Sequence, residues 1–150
     1  DEPLAATIAR LVLDPQVVSR EPILRVYDHE VQGRTVVKPL QGSVAHPTHG
    51  DATVLRPRPE SHRGLAVATA AQPWLCAADP ERGGAWVVEE AARNLWAVGA
   101  RPDAFTNCLN FGPPNDPRVM DDFVRVVRGM ASAARALGFV VPSGNVSFYN

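Results

Sequence analysis

The sequence predicts a mixed α/β domain, with a mixed sheet and two main helices packed on one of its faces, on three observations. Short β-type runs crowd residues 23–67. Two long segments with helical apolar spacing follow, and each is succeeded by another apolar run of strand length. The order is α, several strands, α, β, α, β, without an internal repeat.

Leu4, Ile8, Leu11 and Val12 fall at helical spacing after Pro3, and Asp14-Pro15 ends the pattern, so the chain opens with a short amphipathic helix. Residues 1–18 read as a helical lead-in from a preceding domain, and 19–150 as the domain itself. From Ile23 to Val54 the runs ILRVYD, RTVVKPL and DATVLRP read as strands. Adjacent Val36 and Val37 predict that their strand is buried on both faces. Loops are expected at 41–50 and 57–63, before GLAVAT resumes a strand. The 14 prolines, about twice the ordinary ~5%, mostly punctuate such connections.

GGAWVVEEAARNLWAVGA carries Val88, Ala91, Ala92 and Leu95 on one helical face and Glu89, Glu90 and Arg93 on the other, with Gly99 to stop it. DAFTNCLNFG reads as a strand. Asn115 or Asp116, with Pro117, supplies a cap and a first-turn proline for a long helix. Its apolar stripe is Val119, Met120, Phe123, Val126, Val127, Met130, Ala134 and Leu137, and Gly138 terminates it. FVVPSGNVSFYN is the last strand.

The 150 residues (16.2 kDa) suit one hydrophobic core. Apolar residues at 45% and charged residues at 21% exclude a disordered chain and a coiled coil. Fifteen Lys and Arg against sixteen Asp and Glu leave a net charge of -1, without the basic excess that a nucleic-acid partner requires. No apolar run reaches the ~18 residues that span a bilayer, and no signal peptide opens the chain, so a cytoplasmic protein without a membrane partner is expected. Cys76 and Cys108 make no disulfide framework and are expected as small buried hydrophobes in a reducing compartment. A chain that starts at Asp1 and stops just after a strand is expected to be a fragment.

Chemistry concentrates in Ser143-Gly144-Asn145-Val146-Ser147, where Asn145 and Ser147 share one face of an extended chain. A carboxamide oxygen, a hydroxyl and a bare glycine backbone suit a phosphate-and-metal corner; a glycine bulge with an Asn turn fits the same residues. Asn107 and Asn110 stand near the Gly112-Pro113 turn, either to hold a nucleotide's base or sugar or to bond turn backbone. In Tyr27–Gly33, alternation sets His29 opposite Asp28 and Glu30, which shows no His-carboxylate pair and suits a solvated strand edge. Lys38 reads as a phosphate contact or a soluble strand end. His46 and His49 have metal-like spacing, with His62 and Cys76 further on, but a proline-bearing loop does not set them on one helical face. Trp74, Trp86 and Trp96 lack an interleaved basic patch and suggest core or interface packing. No Walker-A loop, G-x-G-x-x-G, G-x-S-x-G or C-x-x-C occurs.

Three segments, YDHEVQGRTVVKPL, DPERGGAWVVEEAARNLWAVGARPDAFTNCLNFGPP and SGNVSFYN, together resemble phosphoribosylformylglycinamidine synthase II. This is the ATP-dependent, amidine-forming family of purine biosynthesis, related to aminoimidazole ribonucleotide synthetase. The resemblance runs from about Ser19 to Asn150. It implies an ATP-binding domain like the N-terminal domain of the aminoimidazole ribonucleotide synthetase superfamily, here the first domain of the second half of a longer, two-half chain. Such a domain packs through its sheet on its counterpart in the first half, and the reactive cleft forms between halves.

The resemblance implies roles residue by residue. Asn107 and Gly144 would contact ATP, Asn145 would contribute to magnesium, and Ser147 would touch formylglycinamide ribonucleotide. Asn107 stands where many relatives carry aspartate, which removes a charge and keeps an acceptor oxygen. The family's catalytic histidine and most metal carboxylates belong to the first half, so no catalytic residue is expected in this chain. His29 would be that histidine's pseudo-symmetric counterpart, as a relic or a structural residue. Thr69-Ala70-Ala71-Gln72-Pro73 departs from a Thr-Asp of relatives, so a second, pseudo-symmetric nucleotide site should be degraded.

The implied partners are the first half, a glutaminase subunit, a small bridging subunit and the ribonucleotide, and the implied cofactors are ATP and Mg2+. In the family's reaction the substrate amide oxygen takes the γ-phosphate, and ammonia then displaces phosphate. The isolated chain would be inactive. One alternative is a non-catalytic module that forms a homodimer through its sheet. Another, a complete small enzyme related to aminoimidazole ribonucleotide synthetase, is disfavoured because the chain stops before a second domain.

Overall fold

The computed structural model describes residues 2–150 and has the expected α/β class with two main helices. Its strands pair as three small sheets: β1 (Thr35–Val37), β4 (Thr53–Leu55) and β5 (Leu65–Val67) in antiparallel order β1-β4-β5, the hairpin of β2 (Leu40–Gly42) and β3 (Pro47–His49), and the parallel pair of β6 (Ala104–Asn110) and β7 (Val140–Ser147). The expected mixture of parallel and antiparallel pairing is therefore distributed over separate ladders.

The amphipathic opening helix is α1 (Leu4–Val12), and none of its residues is buried. Residues 23–28 depart from the expected strand. Glu21–Leu24 form α2, with Pro22 in its first turn and Arg25 bonded to Glu21 one turn back at 2.5 Å. A proline that suits a first helical turn and a local i,i+4 ion pair here outweigh the β preference of Ile23, Val26 and Tyr27. A short 3-10 segment at Val31–Gly33 follows, with Gln32 in the left-handed region at φ 58°. Val36 is 61% exposed, so β1 is not buried on both faces: nothing described covers that side of its sheet. Part of the loop expected at 41–50 is the β2–β3 hairpin, in which Gly42 faces Pro47 at φ 81°.

Residues 73–150 form the packed part. Helix α3 (Pro73–Ala78), absent from the sequence reading, leads into α4 (Pro80–Ala97). Asp79 caps α4 by accepting from the Arg82 N–H at 3.3 Å, which starts the helix three residues before the Gly83 of the sequence pattern. The same carboxylate accepts from Arg125 at 3.1 Å and ties the start of α4 to α5 (Pro117–Leu137). Asp116 caps α5 through the Arg118 N–H at 2.9 Å, which holds its carboxyl below the usual carboxylate range. Gly138 closes α5 at φ 74° as expected.

α4 packs most extensively on α5, and Val88 and Ala92 of α4, Val126, Ala133 and Ala134 of α5 and Leu109 of β6 are buried. The approach is close because glycines make it. A Cβ on Gly84 would meet the Val126 carbonyl at 2.4 Å, and one on Gly129 the Glu81 carbonyl at 1.8 Å. Gly83, on another side of α4, admits the Cys76 backbone of α3. Phe123 of α5 packs edge-on to Phe111 at 5.3 Å and tilted to Phe148 at 5.5 Å, fixing the helix over the ends of β6 and β7.

Candidate functional site

β6, α5 and β7 form a parallel βαβ unit, and in such units the crevice beyond the carboxyl ends of the strands is where ligands bind. Asn110 and Ser147 are the last residues of the two strands and face each other in register. The ends are fastened: the Phe111 N–H donates to the Ser147 carbonyl at 2.9 Å, and the Asn150 N–H to the Phe111 carbonyl at 3.1 Å. The Asn150 carboxamide also donates to Ser147 Oγ at 3.0 Å, which orients that hydroxyl.

Register and the two-residue period of a strand divide the candidate residues between the two faces. Thr106, Cys108 and Asn110 pair with Ser143, Asn145 and Ser147 on a face left open among the described residues. All are exposed except Ser147, which is half-buried. On the other face Asn107 pairs with Gly144 and Leu109 with Val146, and the burial of Leu109, with the packing of Phe111 on Phe123 of α5, shows that this is the helix side. Asn145 and Ser147 thus share the open face, as the sequence predicts, whereas Asn107 and Gly144 lie across the sheet from them.

Gly144 seats Asn107. A Cβ built on it would fall 1.9 Å from Asn107 Oδ1, so the carboxamide occupies the space a side chain would take. On its Cβ side the neighbour is thus the Asn107 carboxamide, laid from β6 across to β7. β7 has no strand on its other side among the described residues, which leaves its outer edge open.

The open face is uncharged. Its hydroxyls, carboxamides and one thiol can donate and accept hydrogen bonds, but none is a general acid or base poised near neutrality. Magnesium is commonly held by one or two carboxylates with phosphate and water. Asn145 fits as one neutral oxygen donor, and among the described residues no three His, Cys, Asp or Glu side chains converge to hold a metal. The carboxylates for such an ion have to come from outside this surface.

The other candidates sit elsewhere. His29 lies on a loop, not on the expected strand edge; its Nε2 donates to the Leu24 carbonyl at 2.6 Å, and Thr35 Oγ1 donates to the His29 carbonyl at 2.5 Å. Its ring lines an open cavity of about 500 Å3 with Asp28, Arg34, Thr53 and Leu55. Lys38 pairs with Glu30. His49 accepts from the Arg20 N–H at 3.1 Å and lies 3.0 Å from Ser19 Oγ, pinning Ser19-Arg20, just after the lead-in, to the β2–β3 hairpin. Cys108 is exposed, contrary to expectation, because it alternates onto the uncovered face; Cys76 is half-buried, and burial raises its thiol pKa. Trp74 (66% exposed), Trp86 and Trp96 are not core residues.

Comparison with known proteins matches residues 49–150 to the family model "AIR synthase related protein, N-terminal domain". Over 150 residues the chain is 39% identical to phosphoribosylformylglycinamidine synthase subunit PurL of Picrophilus torridus and 45% identical to that of Rhodospirillum rubrum. Each alignment takes in 100% of this chain but only 20% and 19% of those proteins, so the chain spans about a fifth of the length of the curated relatives it matches. Among solved structures, PurLQS from Thermotoga maritima superposes with a TM-score of 0.74 at 30% identity, covering 89% of this chain and 21% of that one. T. maritima PurL complexed with ATP gives 0.69 at 29% identity (89% and 20%), and PurL complexed with FGAR gives 0.68 at 30% (88% and 20%).

Proposed function

Because the chain belongs to the AIR synthase related protein N-terminal domain family, we propose that it is one wall of the active cleft of an ATP-dependent, carbon-nitrogen bond-forming synthase of purine biosynthesis. In this reading it is the first domain of the second half of the enzyme that converts formylglycinamide ribonucleotide and ammonia to the amidine. Residues 1–18 lead in from a preceding domain, 19–150 are the ATP-binding-type domain, and the setting is cytoplasmic. Among the described residues no helix is long and apolar enough to cross a membrane.

The observation that carries this reading is the open polar face at the carboxyl ends of β6 and β7, where Asn145 and Ser147 project together. Ser147, held by Asn150, is placed to hydrogen-bond the ribonucleotide. Asn145 offers an oxygen to magnesium, which when bound neutralises phosphate charge during phosphoryl transfer. Asn107, seated on Gly144, presents its carboxamide toward β7 as an ATP contact. The relatives complexed with ATP and with FGAR, and the PurLQS assembly, support nucleotide, substrate and further subunits as partners. A glutaminase and a small bridging subunit would supply ammonia.

A surface of neutral donors and acceptors binds and orients; the proton and phosphoryl chemistry has to be completed by the facing half. An amidine-formation assay with ATP, magnesium and ammonia tests this. The 150-residue chain alone is expected to give no turnover, and adding the separately produced first half is expected to restore it. Turnover by the chain alone, or none after complementation by a first half that binds it, would contradict the reading.

A further inference from the structure

The sequence sets Asn110 just before the Gly112-Pro113 turn, and the proposed function leaves it without a role. It ends β6 on the uncovered face, directly opposite Ser147 in register. Its amide makes only marginal contacts at 3.5 Å, to the Cys108 carbonyl and Sγ, and among the described residues its Oδ1 accepts no hydrogen bond. Ser147 is different, since its hydroxyl is already engaged with Asn150 at 3.0 Å. The strand ends therefore present an oriented hydroxyl beside a carboxamide whose NH2 is only marginally engaged.

A carboxamide donates through its NH2 and accepts through its oxygen, so it can meet either the C=O or the N–H of another amide with a hydrogen bond. No charged group on this face competes for it. We propose that Asn110 is a further substrate-contact residue, pairing through its carboxamide with an amide group of the same ligand that Ser147 binds. This rests on the open β6–β7 face being the substrate wall, and it makes Asn110 a determinant of specificity for an amide-bearing ribonucleotide over its acid or ester analogues.

The test uses the complete synthase with Asn110→Ala, Asn110→Asp and Ser147→Ala, measuring KM for formylglycinamide ribonucleotide and for ATP separately, with thermal melts of each variant. Asn110→Ala is expected to raise the ribonucleotide KM about tenfold. Asn110→Asp, nearly isosteric but without the donor, should raise it at least as much, and both should leave the ATP KM within about twofold and the melts unchanged. Should Ser147→Ala raise the ribonucleotide KM while neither Asn110 variant does, the role of Asn110 is overturned and the wall stands. If all three leave it unchanged, both fall. An equal rise in both KM values with a lowered melt would assign Asn110 a structural role and overturn its contact with substrate.

Discussion

Asn107 and Gly144 function as one unit, because the carboxamide rests where the glycine's Cβ would be. A methyl group 1.9 Å from Oδ1 cannot coexist with it, yet Oδ1 is the end of a rotatable side chain, so Gly144→Ala is expected to displace the carboxamide rather than distort the strand. In the complete synthase this should raise the KM for ATP about tenfold while costing under about 1 kcal/mol of stability. In an Asn107→Ala background the same substitution should change the ATP KM less than about twofold, since the group it displaces is gone. Additive effects would show that Gly144 acts on its own. The shared face of Asn145 and Ser147 was legible in the sequence because it follows from a two-residue period within one strand. The pairing of Asn107 with Gly144 was not, since it depends on a register set by the return of α5, 37 positions along the chain. Exposed Cys108 has the same explanation: only the covering helices decide which face is inside.

The elements whose punctuation is local were the ones readable in advance. Asp116 with Pro117, Gly99 and Gly138 marked helix ends correctly, and β6 and β7 lie within the expected strands. Ile23–Asp28 was misread because its β-type composition outvoted Pro22 and the Glu21–Arg25 pair. The glycines inside the helices carried a signal that periodicity does not use. Each costs a helix interior about 1 kcal/mol relative to alanine, and that cost is offset where backbones must nearly touch. Gly129 and Gly138, on one helix, separate the two roles. Gly138→Ala meets nothing within 4 Å and bears only the left-handed φ of 74°, so about 1–2 kcal/mol is expected. Gly129→Ala drives a methyl group into the Glu81 carbonyl at 1.8 Å, between two backbones that cannot rotate away. It should cost about 3 kcal/mol or more despite the gain in helix propensity. Urea midpoints of the two variants check the order, and a Gly129→Ala chain as stable as the parent would mean that α4 and α5 do not pack this closely.

At the scale of the whole molecule the accessible surface is 10697 Å2, whereas a compact monomer of this mass exposes roughly 7,500 Å2. The excess, about 3,200 Å2, is several times the ~800 Å2 that each partner of a standard interface buries. It is also apolar in part: Leu65 and Val67 share an open face of β5, and Leu4, Ile8 and Leu11 an open face of α1. Isolated, such a chain has two ways to cover these surfaces, by pairing with itself or by meeting the first half proposed above, and they predict different mass distributions. Sedimentation of the 150-residue chain should show species heavier than 16.2 kDa that grow with concentration. If the proposed function holds, titrating in the first half of the synthase should convert them to a one-to-one complex, because a surface shaped for a related but distinct sheet would gain more complementarity from that sheet than from its own copy. Homodimers that persist against excess first half would favour the scaffold alternative, in which self-pairing is the function. A strictly monomeric chain that ignores the first half would mean that neither surface is built for protein contact.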